Sequence, residues 1–224
     1  MTGDEKGTGN RPASSVEVIA PARDLPFARL VRERRSVRSY RPDPVPRDLI
    51  EQVVEAAGWA PSPHGRQPWR FVVLTQPSLK AQLAEAMGSE WLRQLSLDGD
   101  PPDVVAKRLA RSHDRVRSAP VCIVVCLFLD DLDVYPDVDR QAAEETMAVQ
   151  SLGAAAQNLL LAAYDVGLDG GWLCAPLFCQ ETVRQALSLP PTLHPHALLT
   201  LGYAAQEPKR RPRLPVNTLI YRYD

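Results

Sequence analysis

Arg34-Arg35-Ser36-Val37-Arg38 puts three guanidinium groups and a hydroxyl within five residues. Guanidinium groups hold phosphate through paired, charge-assisted hydrogen bonds. A run of this kind is equally what a solvated basic surface looks like. A second basic group, Arg211-Pro212-Arg213, stands near the end of the chain. It could add charge to the same anion or simply solubilise the terminus. The segment beyond it, Leu219-Ile220-Tyr221, is apolar enough to dock against something.

Two further stretches have the make-up of a binding site. The loop Ala60–Trp69 reads APSPHGRQPW. It mixes rigid prolines with polar side chains and an aromatic, as shaped binding loops do. His64 within it is a candidate general acid, or a hydrogen-bonded structural residue. The stretch Trp172-Leu173-Cys174-Ala175-Pro176 follows a Gly-Gly pair. Small residues there would let backbone approach a planar ligand and offer it N–H donors. An ordinary tight strand-to-helix turn reads the same way. His113, His194 and His196 show no metal-ligand spacing with carboxylates or thiols, so no metal is expected.

The elements around these residues are legible from periodicity. Phe27, Leu30 and Val31 share one face of a first helix. A second helix has Pro46 in its first turn and an apolar stripe of Leu49, Ile50, Val53, Val54 and Ala57. A strand over 70–75 and a helix over 79–87 follow; residues 88–100 give no clear pattern. A helix is expected over 101–116, and an apolar strand buried on both faces over 121–129. The longest helix spans 142–166 and is apolar around most of its circumference, which requires burial on all sides or an interface. A short strand at 171–174, a helix at 180–187 and a strand at 196–203 complete the order. Helices outnumber strands and do not alternate as regular βαβ units, which predicts α+β. No GxGxxG follows a strand, so a dinucleotide fingerprint is missing.

The 224 residues allow one substantial core. Hydrophobic residues at 45% and charged residues at 24% are ordinary for a globular protein. A net charge of −1 supplies no global pull toward nucleic acid or membrane. No apolar run is long enough to span a bilayer, and the first residues lack the apolar core of a secretory signal. The expected compartment is the cytoplasm, with reduced cysteines. Cys122 and Cys126 fall inside the apolar run VCIVVCLFL and read as core thiols. Residues 1–24 read as a disordered or extended arm, and residues 25–224 as a single domain.

Taken together and in this order, the motifs resemble the nitroreductase family. The points of likeness are Arg34, Arg35, Ser36 and Arg38; Pro61, Ser62, Gln67, Pro68, Trp69 and Phe71; the helix segment Gly153–Ala163; and Arg211, Arg213 and Pro215. The resemblance covers residues 25–220. It implies a central, mostly antiparallel sheet flanked by helices, in an intertwined homodimer whose tail reaches the partner subunit. It implies FMN at the interface. Carried over residue by residue, Arg34, Arg35, Ser36, Arg38, Arg211 and Arg213 would hold the phosphate and ribityl chain. Pro63, His64, Gly65 and Gln67 of one subunit and Cys174 and Ala175 of the other would line the isoalloxazine. Many members have an acidic residue and glycine where this chain has Cys174-Ala175, so contact there would come from backbone.

A narrower resemblance is to the flavin-binding C-terminal domain of the bifunctional ligase of deazaflavin coenzyme F-420 biosynthesis, here free-standing. It rests on Ala60-Pro61-Ser62-Pro63-His64, on residues 91–100, on Tyr135-Pro136-Asp137, and on Ala143 to Met147. It implies ping-pong hydride transfer to a dehydro precursor of the coenzyme, with His64 as the catalytic acid. A large, anionic, planar acceptor would then meet a cation such as Arg66 or Arg93. A general NAD(P)H-dependent nitro or quinone reductase, and a flavin-binding protein without turnover, are the alternatives.

Overall fold

Four strands form one sheet: β1 (Trp69–Leu74), β2 (Val121–Phe128), β3 (Asp169–Leu173) and β4 (Leu193–Gly202), in the order β1-β2-β4-β3. The structure, a computed structural model, describes residues 22–208 and 210–224. All three ladders are antiparallel. A parallel bridge, Ser36 to Gly170, extends the sheet beyond β3. The run VCIVVCLF is buried on both faces because helices cover both. Ile123 and Val125 point into one core and Val124 and Cys126 into the other, the two-residue alternation of a strand. Pro195 sits in central β4, where it lacks an N–H for the ladder; the β2–β4 register shifts there, between Val125 and Cys126.

On one face pack α2 (Arg47–Gly58) and α5 (Val138–Asp165), burying Ile50, Val53, Ala155 and Leu159. On the other pack α3 (Pro77–Asp98), α4 (Pro102–Ser118) and α6 (Gln180–Leu187), burying Leu83, Val116 and Val183. A short helix α1 (Phe27–Glu33) precedes them, and a helical turn α7 (Val216–Leu219) lies in the tail. This is the α+β arrangement expected.

Three expectations need correction. The helix expected over 79–87 runs on through Gly88 to Asp98. Gly88 is not a stop but a contact point: a Cβ there would stand 2.0 Å from His113 Nε2 of α4. Of the expected α1 stripe only Leu30 is buried; Phe27 and Val31 are exposed. In α5 the buried stripe Ala148, Leu152, Ala155, Leu159 and Ala163 faces the chain's own sheet, whereas Val149 on the flank of that stripe is exposed. Much of the apolar character of α5 is therefore satisfied inside one chain. The expected arm over 1–24 lies outside the described residues except at its end. There Arg23 pairs with Asp169 at 3.3 Å and donates to the Leu168 carbonyl at 2.9 Å.

Candidate functional site

The arginine motif is laid against the outer edge of β3. Val37 N–H donates to the Gly170 carbonyl at 2.9 Å. Gly171 permits the approach: a Cβ on it would stand 2.3 Å from the Val37 carbonyl oxygen. The buried Tyr40 hydroxyl fixes the turn from behind, 2.8 Å from the Val37 carbonyl and 2.7 Å from Thr200 Oγ1. Burial raises the Tyr40 pKa, so it remains a donor.

This placement gathers positive charge. Burial lowers the Arg34 pKa first, and the nearby guanidinium groups of Arg213 and Arg35 lower it further. The motif and the tail therefore meet in space. Ser36 and Arg38 line a hollow of about 490 Å³ together with Arg111 and Arg115 of α4. Arg115 is likewise depressed by burial and then by Arg38 and Arg111. Among the described residues neither Arg38 nor Arg115 has an ion-pair partner. Arg35 turns elsewhere: its Nη1 donates to the Arg34 carbonyl at 2.8 Å, and it lines an adjoining hollow with Arg23 and Asp169. Arg211 and Arg213 are exposed. Sequence reasoning missed Arg111 and Arg115. Their signal was two like charges four apart on one helix, an arrangement that costs stability unless something answers it.

At the other end of β3 the chain turns through Cys174 into a 3-10 turn, Ala175–Phe178. Cys174 and Ala175 are exposed. They open onto a second hollow of about 340 Å³, walled by Met87 and Trp91 of α3, by Leu173 and by Phe178. Arg115 lines this hollow as well as the first. The Trp172 indole N–H is buried beside the turn without a partner.

The loop before β1 is strained where it is most exposed. His64 has φ 52°, Gly65 φ 66° and Gln67 φ 50°. Two of these three left-handed residues carry side chains, a conformation that costs free energy and clusters at functional sites. Ser62 holds it: its Oγ accepts from Gln67 N–H at 3.0 Å and its carbonyl from Gly65 N–H at 3.1 Å. Pro63, His64 and Gly65 make a single 3-10 turn, with His64 and Gly65 exposed.

The sheet keeps this loop away from the arginines of the same chain. β1 and β3 are the two outer strands, three spacings apart, roughly 14 Å. Ser36 lies beyond β3 at the sheet's other end, since Gly170 aligns with Leu201 while Trp69 aligns with Leu127 and, through it, His194. The structure thus brings together Arg34, Ser36, Arg38 and Arg213 along one edge, with Cys174 and Ala175 at its end. Residues 63–67 remain across the sheet. The cations expected to meet an anionic acceptor are both already paired. Arg66 bonds to Asp133, and Arg93 to Glu90 at 2.7 Å. No group of three or more potential metal ligands occurs among the described residues, and no helix among them is long and apolar enough to cross a membrane.

A protein-family model described as the nitroreductase family matches residues 31–203. The chain is 31% identical to a Thermus thermophilus protein named NADH dehydrogenase, over 92% of this chain and 98% of that one. It is 26% identical to the Bacillus subtilis protein named NAD(P)H nitroreductase YfhC, over 84% and 89% respectively. Among solved structures it resembles a Desulfovibrio desulfuricans nitroreductase in complex with FMN, with a TM-score of 0.69 and 28% identity, covering 90% of this chain and 98% of that one.

Proposed function

The chain belongs to the nitroreductase family, and we propose that it works as an FMN-dependent oxidoreductase drawing electrons from a reduced nicotinamide nucleotide to reduce a flat small-molecule acceptor. The observation that carries this is the unanswered positive charge along β3. Arg34 is held down by burial and by the nearby charges of Arg213 and Arg35, and Arg38 has no ion-pair partner among the described residues. Such crowding costs free energy that a phosphate group would offset, so the residues present fit the cofactor.

Arg34, Ser36, Arg38 and Arg213 would hold the FMN phosphate and ribityl chain, with Arg35 behind them and Arg211 on the same tail. Backbone at Cys174 and Ala175 would meet the ring. Bound there, FMN accepts an electron pair from one substrate and passes it to the next. Pro63, His64, Gly65 and Gln67 would close the ring site from a second copy of the chain, because the sheet separates them from the arginines of their own. The strained turn projects His64 toward solvent, where its imidazole can hold a proton for the acceptor. The names of the relatives support nicotinamide donors.

A narrower reading makes the acceptor a dehydro precursor of deazaflavin coenzyme F-420. Its support is the likeness of loop 60–69 and of residues 91–100, of which Trp91 to Asp98 form the end of α3. Anaerobic addition of NADH or NADPH to the purified protein tests the broad reading. A yellow protein should bleach and recover its colour with a quinone or nitroarene. Colour that no reductant removes would favour flavin storage without turnover. Competition between the precursor and nitrofurazone under one donor tests the narrow reading, which is withdrawn if the nitroarene has the higher kcat/KM.

A further inference from the structure

We propose that the hollow between α3 and the Ala175–Phe178 turn seats the acceptor, and that it selects a flat aromatic molecule bearing an anionic group, with the ring against Trp91 and Phe178 and the anion on Arg115. This rests on the oxidoreductase reading above and adds the substrate class and the residues that choose it. At about 340 Å³ the hollow falls within the range of small-molecule sites. Its floor is the Cys174-Ala175 turn, where the flavin ring is expected, so an occupant would lie beside the redox centre. Phe178 is 70% exposed. An aromatic ring left in water beside a half-buried Trp91 is a stacking surface without its partner.

The hollow is also built rather than incidental. Gln94 Nε2 donates to the Phe178 carbonyl at 3.2 Å and ties the helix to the turn. The acid at the rim is neutralised. Glu90 accepts from Arg93 at 2.7 and 2.9 Å and from Gln94 at 2.9 Å. It would therefore not repel an anion. Arg115 is the open cation of this wall: it is partly buried, has no ion pair among the described residues, and lines both hollows. A guanidinium partly stripped of water and lacking a counter-ion gains most from a ligand carboxylate or phosphate. The charge selection expected of Arg66 or Arg93 thus falls to Arg115, since both of those are paired.

The test uses a matched pair of acceptors on the flavin-loaded enzyme with NADH: para-nitrobenzoate and its neutral isostere para-nitrobenzamide. Each turnover consumes NADH and a proton, and yields NAD⁺, water and the nitroso compound. The acid should have the higher kcat/KM by about tenfold, the scale of one charge-assisted hydrogen bond. Arg115→Gln should abolish that ratio. Trp91→Ala should raise KM for both compounds about tenfold while FMN content stays that of the wild type. Equal kcat/KM for acid and amide in the wild type, a ratio that survives Arg115→Gln, or an unmoved KM in Trp91→Ala each overturns the proposal while leaving the oxidoreductase reading intact. Failure of the flavin-loaded wild type to reduce either compound overturns that reading and this one with it.

Discussion

Arg34 is held where its charge is costly, half-buried and facing Arg213. A bound phosphate would offset that cost. Arg34→Ala or Arg213→Ala should weaken FMN binding by about one to two orders of magnitude, since a hydrogen bond to a charged group is worth about 1.5–3 kcal/mol. Riboflavin, which lacks the phosphate, should bind the wild type poorly and be indifferent to both changes. Equal loss of riboflavin affinity in a flavin titration would point to a folding defect and remove the phosphate assignment. At this scale the sequence was informative where chemistry is local. Arg34, Ser36 and Arg38 are neighbours in the chain, so their grouping is visible without a structure. Arg111 and Arg115 are not: only the packing of α4 beside the motif brings them to Arg38. Arg66 and Arg93 were read as free cations because their acids, Asp133 and Glu90, are ordinary surface residues until the fold pairs them.

Among elements, β3 is the one on which the site depends. It is short, and its Gly171 lets the arginine motif lie directly against it. Gly171→Ala would force Cβ to within 2.3 Å of the Val37 carbonyl, a backbone atom that cannot swing aside. The expected outcome is a loss of about 1–3 kcal/mol in denaturant stability, the usual cost of overpacking, together with weakened FMN binding. Stability loss without flavin loss in Gly171→Ala would show that the motif does not need this edge. Elements with strong patterning, such as β2 and α2, were legible in advance. The second half of α3 was not, because Gly88 looks like a terminator in sequence and acts as a helix-packing contact against His113 in space.

For the whole molecule, the sheet that unites the arginines with the Cys174 turn divides both from the loop carrying His64. On the proposed reading one chain would hold two halves of different sites, and two chains would complete both. The exposed tail fits this arrangement: Leu214, Val216, Leu219 and Tyr221 lie largely in solvent in the single chain. Apolar surface of that extent is what a second copy of the chain would cover. The dimer could not be assigned to particular α5 residues from periodicity alone. Ala155, a natural choice for a disrupting charge, is fully buried in its own chain's core, so Ala155→Glu would unfold the protomer. Val149, 41% exposed on the same helix, is a position where a charge would test assembly without entering the protomer's core. The central claim, a flavin held jointly by two chains, is tested most directly by recording sedimentation mass and bound FMN together. The expected results are a wild-type dimer with FMN equimolar to chain, and a Val149→Glu variant that keeps its helical circular dichroism but runs as a flavin-free monomer. A wild-type protein that is monomeric at micromolar concentration and still carries its full complement of FMN would contradict it.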